Sequence, residues 1–73
     1  MILAEGDRIY VQFEDGEEYM EKVVSVNTDT NFSQVFSDNE GLTEIPCTTM
    51  EEYVAMIRNN DPEAKIVYNG QKI

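Results

Sequence analysis

The sequence predicts a β-rich α+β domain: a small curved antiparallel sheet, or a small barrel of about five strands, with one short helix. Two observations lead to this prediction. Short segments of alternating or β-branched residues are separated by turn sequences, and one later segment, at about residues 49–60, has helical spacing instead. A length of 73 residues is sufficient for one domain, so we assign residues 1–73 to it.

Residues 8–26 have the pattern of a β-hairpin. Apolar and polar side chains alternate over residues 8–14, as expected for a strand with one buried face. Asp15-Gly16 is typical of a tight turn, because glycine tolerates the positive φ that hairpin turns require. The returning segment, at about residues 19–26, contains three valines, which favour extended structure. We therefore expect the first two strands to pair with each other.

Two shorter strands are predicted next, at residues 32–36 and 42–45. The first has Phe32 and Phe36 on one face and Val35 on the other. Because both faces carry apolar side chains, the pattern leaves open which of them is buried. A proline follows the second segment and suits the end of an edge strand, since proline cannot donate to a ladder.

The helix is predicted from an apolar stripe and from a cap. Thr49 and Glu52 have the spacing of a capping box, in which the threonine satisfies a free backbone N–H of the first turn. Residues at i, i+3, i+4 and i+7 form one apolar face, which comprises Met50, Tyr53, Val54 and Ile57. After the helix, residues 65–68 return to an extended pattern, and Asn69-Gly70 predicts a type I′ turn.

The charge of the chain is strongly negative. It has 15 acidic and 5 basic residues, with a formal net charge of −10. Direct binding to nucleic acid is disfavoured, because neutralising phosphates requires clustered Lys and Arg. We expect a protein with a basic surface, or a basic peptide, as the partner. The densest acidic segment holds five of the candidate binding residues, namely Glu14, Asp15, Glu17, Glu18 and Glu21.

Cysteine content and hydropathy indicate a cytoplasmic protein. Cys47 is the only cysteine, so an internal disulfide is impossible. The first residues lack the basic region of a signal peptide. No segment approaches the roughly 18–20 apolar residues that span a bilayer, so no membrane association is expected. The oligomeric state is left open.

The segment GDRIYVQFEDGEEYMEKVVSVNTDTNFSQVFSDNEG, within about residues 6–45, resembles the Tudor domain, an SH3-like small barrel. Tudor domains are binding modules whose aromatic cage holds a methylated Lys or Arg, using ring faces to attract a cation. The resemblance implies cage positions at Phe13, Tyr19 and Phe36. The fourth would fall near Asn39, where this chain has an amide that accepts hydrogen bonds instead of a ring. The alternative is that these aromatic residues belong to the core.

A second resemblance, over residues 49–73, is to the helix and following hairpin of ubiquitin-like domains. It rests on TMEEYVAMIRNNDPEAKIVYNGQKI. It implies a helix packed across a curved sheet. It implies no conjugation function, because the chain lacks a di-glycine at its end.

Catalytic, metal and cofactor sites are not expected. The chain has no histidine, the residue most used as a general base and as a metal ligand. The residues beside Cys47 offer no base that would activate its thiol. The Asn27–Asp38 segment has part of the calcium-loop spacing, but Phe32 stands where that loop needs glycine.

Three functions remain as hypotheses from the sequence. The first is a non-enzymatic module that binds a basic partner through the Glu14–Glu21 surface with Tyr19, Phe36 and Asn39. The second is a stand-alone inhibitor of the kind phages encode, which imitates nucleic-acid charge to block a host enzyme or nucleic-acid-binding protein. The third is a structural or assembly subunit.

Overall fold

One antiparallel sheet and one helix form the fold, and the computed structural model describes residues 1–73. The elements are β1 (Arg8–Gln12), β2 (Glu18–Asn27), β3 (Phe32–Ser37), β4 (Gly41–Ile45), α1 (Met50–Asn60), β5 (Lys65–Tyr68) and β6 (Gln71–Lys72). The strand order is β4-β3-β2-β1-β5-β6, and every neighbouring pair is antiparallel. The predicted class, an antiparallel sheet with one short helix, is confirmed.

One detail of the prediction is corrected, and the number of strands is made exact. β4 and β6 each have one neighbour only, so the sheet is open and the barrel alternative is wrong. The sheet also has six strands, because the Asn69-Gly70 turn returns the chain into β6. Both turn residues have positive φ, 49° and 83°, as a type I′ turn requires.

The β1–β2 hairpin is closed by a three-residue loop. β1 ends at Gln12, two residues earlier than the alternation suggested. The backbone N–H of Phe13 then donates to the carbonyl of Glu17 over 2.7 Å. Gly16, inside this loop, has a φ of 95°, which a side chain would oppose.

The core lies between α1 and the sheet face that we call the inner face. The opposite side is called the outer face. Thirteen buried residues form a single cluster, comprising Leu3, Ile9, Val11, Val23, Val35, Ile45, Cys47, Met50, Tyr53, Ile57, Ala64, Ile66 and Tyr68. Three of them come from the predicted stripe of α1, and the fourth stripe residue, Val54, packs at the edge of the cluster.

The structure decides which face of β3 is buried. Val35 is fully buried and lies opposite Val23, while Phe32 and Phe36 are exposed on the outer face. Ser33 shares the inner face, where its hydroxyl donates to the carbonyl of Cys47 over 2.7 Å. Ser33 can be buried because its hydroxyl group has a hydrogen-bond partner.

Thr49 caps α1 as predicted. Its Oγ1 accepts a hydrogen bond from the Glu52 N–H over 3.2 Å, and the Glu52 carboxylate accepts one from the same hydroxyl over 2.9 Å. This differs from a full capping box, in which the acid would accept from the cap's backbone N–H. The helix has 11 residues and is the only one in the fold, and it is too short and too polar to cross a membrane.

We expect Thr49→Ala to lower the free energy of unfolding by about 0.5–2 kcal/mol, because it leaves an N–H of the first turn without a partner. Urea denaturation followed by circular dichroism measures this. Thr28→Ala is the matched control, since Thr28 lies in an exposed turn and its side chain makes no hydrogen bond. Equal losses in the two variants would contradict a specific role for the cap.

Candidate functional site

Three side chains form a hydrogen-bonded chain where β2 meets α1. The hydroxyl of Tyr53, on α1, donates to Oε1 of Glu21 over 2.6 Å. The Tyr19 and Tyr53 oxygens lie 2.8 Å apart. Because the single hydroxyl proton of Tyr53 is used by Glu21, Tyr19 must donate to Tyr53. The chain of bonds therefore runs from Tyr19 through Tyr53 to the carboxylate.

Glu21 is an unusual carboxylate for this protein. The residue is only 8% exposed, and its carboxylate accepts a single hydrogen bond, from Tyr53. Burial raises the pKa of Glu21, and the negative charges of Glu40 and Asp38 raise it further, against the opposing effect of the Tyr53 hydrogen bond. No Lys or Arg forms an ion pair with it. A buried carboxylate among like charges, with no cation, destabilises the folded protein when it is ionised.

Glu21 lines a small surface pocket that we call the acidic pocket. Its lining residues are Tyr19, Glu21, Ser37, Asn39 and Glu40. Tyr19 is half-buried, and its ring stands 5.9 Å from the ring of Phe13 between centroids. Burial raises the pKa of the Tyr19 phenol, and the charges of Glu21 and Glu40 add to the effect. The pocket thus combines two carboxylates with a neutral aromatic ring.

Part of the predicted binding set meets in this pocket. Tyr19, Glu21 and Asn39 are brought together, although Asn39 lies in the turn between β3 and β4. The Ser37 hydroxyl donates to Oδ1 of Asn39, which holds the amide at the rim. Residues distant in sequence therefore converge because β2 and β3 are neighbours in the sheet.

The hairpin loop carries a second group of predicted residues. Glu14, Asp15 and Glu17 are all exposed there. The backbone N–H of Glu14 donates to Oδ2 of Asp61 over 2.8 Å, which joins the loop to the end of α1. Together with Glu63, these carboxylates form what we call the acidic tip. They line two shallow depressions, and Lys65 borders one of the two.

The remaining predicted residues lie on the outer face. Glu18 accepts a hydrogen bond from the Tyr10 hydroxyl there, on the side of the sheet opposite Glu21. The Glu14–Glu21 segment is therefore not one surface, because successive strand residues point to opposite faces. Phe36 also lies on the outer face, so the expected cage of Phe13, Tyr19 and Phe36 is not assembled.

The sequence did not identify two residues that shape the site. Tyr53 was predicted only as part of the apolar stripe, and Glu40 was not distinguished from the other acidic residues of the chain. A tyrosine on a buried helix face was a usable signal, since a buried hydroxyl requires a partner. Its partner, Glu21, lies 32 residues away in sequence, so no local pattern could name it.

Cys47 does not contribute to the site. The thiol is buried, and burial, with the charges of Glu52 and Glu21, raises its pKa to about 11. It is therefore protonated at neutral pH. No three His, Cys, Asp or Glu side chains are arranged to hold a metal ion.

The fold and the pocket together define the class of this protein: a small α+β domain with a partly buried acidic pocket. No known protein family, curated protein or solved structure matches this chain.

Proposed function

We propose that the protein is a non-enzymatic binding module that accepts a basic side chain of a partner protein in the acidic pocket. The observation that carries this proposal is the buried Glu21 carboxylate, which lines the pocket without a cation of its own. A Lys or Arg side chain would supply the missing positive charge and donate to the carboxylate oxygen that Tyr53 leaves free.

The ring of Tyr19 supports the same interpretation. An aromatic face beside two carboxylates attracts a cation through its quadrupole as well as through their charge. Because Glu21 and Glu40 are hydrogen-bond acceptors, the pocket favours a cation that keeps its N–H groups. A trimethylated lysine has none to donate, so we expect unmodified Arg or Lys to bind more tightly than the fully methylated side chain that a cage would select.

The first test is Glu21→Gln. We expect it to weaken binding of the blocked peptide Ala-Ala-Arg-Ala-Ala about tenfold or more, because an amide cannot pair with a guanidinium. The same change should increase the free energy of unfolding at neutral pH, since it removes a buried charge that Glu40 and Asp38 repel while keeping an acceptor for Tyr53. NMR titration measures the binding, and urea denaturation measures the stability.

Glu18→Gln is the matched control, because Glu18 has the same chemistry on the outer face. It should leave peptide binding unchanged. Binding should also strengthen as pH rises through the raised pKa of Glu21, because only the ionised form attracts the peptide. If Glu21→Gln binds the peptide as well as the native chain does, the acidic pocket is not the binding site. If the variant is less stable than the native chain, Glu21 has a structural role instead.

Inhibition by nucleic-acid charge mimicry is the second candidate. Its support is the acidic tip, where the exposed carboxylates of Glu14, Asp15, Glu17 and Glu63 lie close to Asp61 at one end of the molecule. Such a surface resembles a short row of phosphates. Its charge would steer this protein toward a basic groove on a partner protein. The two candidates differ in their residues, because mimicry depends on the acidic tip and is indifferent to Glu21→Gln.

A further inference from the structure

The basic residues of this protein are gathered on one surface. Four of the five, Arg8, Lys22, Lys65 and Lys72, occupy outer-face positions of the strands. The fifth, Arg58, lies on α1 and donates to the carbonyl oxygens of Ala64 and Ile73. Among the outward-pointing residues of the strands, only Glu18 and Glu44 are acidic. The outer strand positions therefore carry four cations and two carboxylates in a protein whose net charge is −10.

None of these four cations forms an ion pair within the molecule. The only ion pair joins the N-terminal ammonium to Glu51. Arg8 and Lys22 are direct cross-strand partners on β1 and β2, so two like charges face each other. Such a pair is unfavourable in an isolated sheet. A chain with 15 acidic residues thus leaves two adjacent cations without an ion-pair partner.

Apolar side chains continue the same row across the sheet. Lys22 lies opposite Phe36 on β3, and Phe36 lies opposite Leu42 on β4. Phe36 is 56% exposed and Leu42 is 61% exposed. We call these four residues the outer row: Leu42, Phe36, Lys22 and Arg8. Its two apolar members are adjacent, and its two cations are adjacent.

The outer row also borders a shallow pocket. Arg8, Lys22 and Phe36 line it together with Met20, Glu21 and Asp38. Asp38 accepts a hydrogen bond from the N–H of Met20 over 3.2 Å, so its carboxylate is held at the edge. An anion between Arg8 and Lys22 would relieve their repulsion, while an apolar group would cover Phe36 and Leu42.

We infer that the outer row is a second docking site, for a partner protein segment that presents apolar side chains next to carboxylates. Adjacent strands are about 4.8 Å apart, so the centre of the apolar pair lies about 10 Å from the centre of the cationic pair. That separation matches about three residues of extended chain, at about 3.3 Å per residue. None of the four residues of the outer row lines the acidic pocket, although Glu21 borders both pockets. This inference does not depend on the proposed function.

A protein segment fits this surface better than a nucleic acid. A phosphate chain carries a charge at every residue, and neutralising it takes a series of cations. Here Glu21 and Asp38 line the pocket beside the outer row and would repel the flanking phosphates. One or two carboxylates beside an apolar pair meet the two cations without requiring more of them.

The probe for this site is the blocked pentapeptide Phe-Ser-Leu-Ser-Glu. In an extended chain its Phe, Leu and Glu side chains share one face, and the carboxylate lies about three residues from the centre of the apolar pair. We expect NMR titration of the full chain to shift the amides of Lys22 and Phe36. Lys22→Glu should weaken this binding about tenfold or more, and it should strengthen binding of the pentapeptide Phe-Ser-Leu-Ser-Lys. Phe36→Gln should weaken both. These variants change exposed side chains, so folding should be retained.

Two controls lie on the same face but outside the outer row. Lys65→Glu makes the same charge change as Lys22→Glu, and Phe32→Gln makes the same change as Phe36→Gln. Both should leave binding within about twofold of the native chain. If Lys65→Glu and Lys22→Glu reduce the peptide-induced amide shifts equally, the peptide binds by general charge attraction. That result would overturn the inference of a specific site. The inference also fails if neither peptide causes shifts, or if a thymidine oligonucleotide binds while the acidic peptide does not.

Discussion

Replacing Ile9 by alanine is expected to lower the free energy of unfolding by about 2–5 kcal/mol, the range for deleting a large aliphatic side chain from a packed core. Ile9 is fully buried in β1, the strand that pairs with both β2 and β5. A domain of this size has only about 4–11 kcal/mol of stability in total. The variant should therefore unfold at a much lower urea concentration.

Ile2→Ala provides the matched control for this variant. The same side chain is removed there from a position that is 61% exposed. We expect that control to stay within about 0.5 kcal/mol of the native chain, because little apolar surface returns to water. Similar losses at the two positions would show that the core is not packed around Ile9.

Replacing Tyr53 by phenylalanine is expected to lower the free energy of unfolding by about 1–3 kcal/mol. The ring remains, but Glu21 loses its only hydrogen bond while it stays buried, and the Tyr19 hydroxyl loses its acceptor. The Tyr53 hydroxyl also lowers the pKa of Glu21, so its removal should raise that pKa further. Carboxyl NMR shifts of Glu21 measure the change.

The sign of the pH dependence is a sharper test of Tyr53. The hydrogen bond stabilises the ionised form of Glu21, so the loss in Tyr53→Phe should be larger above the titration of Glu21 than below it. Tyr10→Phe is the control, because it removes an equivalent bond to the exposed Glu18. It should cost less than about 0.5 kcal/mol. A loss in Tyr53→Phe that is independent of pH would contradict the role given to Glu21.

Local patterns predicted most of the secondary structure. The strands at residues 65–68 and 32–37 lie where alternation or β-branching placed them, within one residue. The Asn69-Gly70 turn has the predicted positive φ at both residues, and Thr49 is the cap of α1. Each of these features is determined by a few residues that are adjacent in the sequence. They can therefore be predicted without knowing the tertiary structure.

The candidate site was predicted less completely. Tyr19, Glu21 and Asn39 belong to the acidic pocket, but Glu18 and Phe36 lie on the other side of the sheet. The sequence predicts one acidic surface at Glu14–Glu21 because five acidic residues are close together in the chain. Strand pleating sends alternate side chains to opposite faces, so proximity in sequence does not produce a common surface.

The amino-acid sequence by itself determined the element types, the strongly negative charge and the short helix, since these follow from composition and from periods of two and 3.6 residues. Only the tertiary structure decided that Val35 and not Phe36 is buried, that Tyr53 holds Glu21, and that four cations share the outer face. The physical reason is that strand order and register bring together residues from distant segments. Which face is covered depends on where α1 packs, and no single segment encodes that.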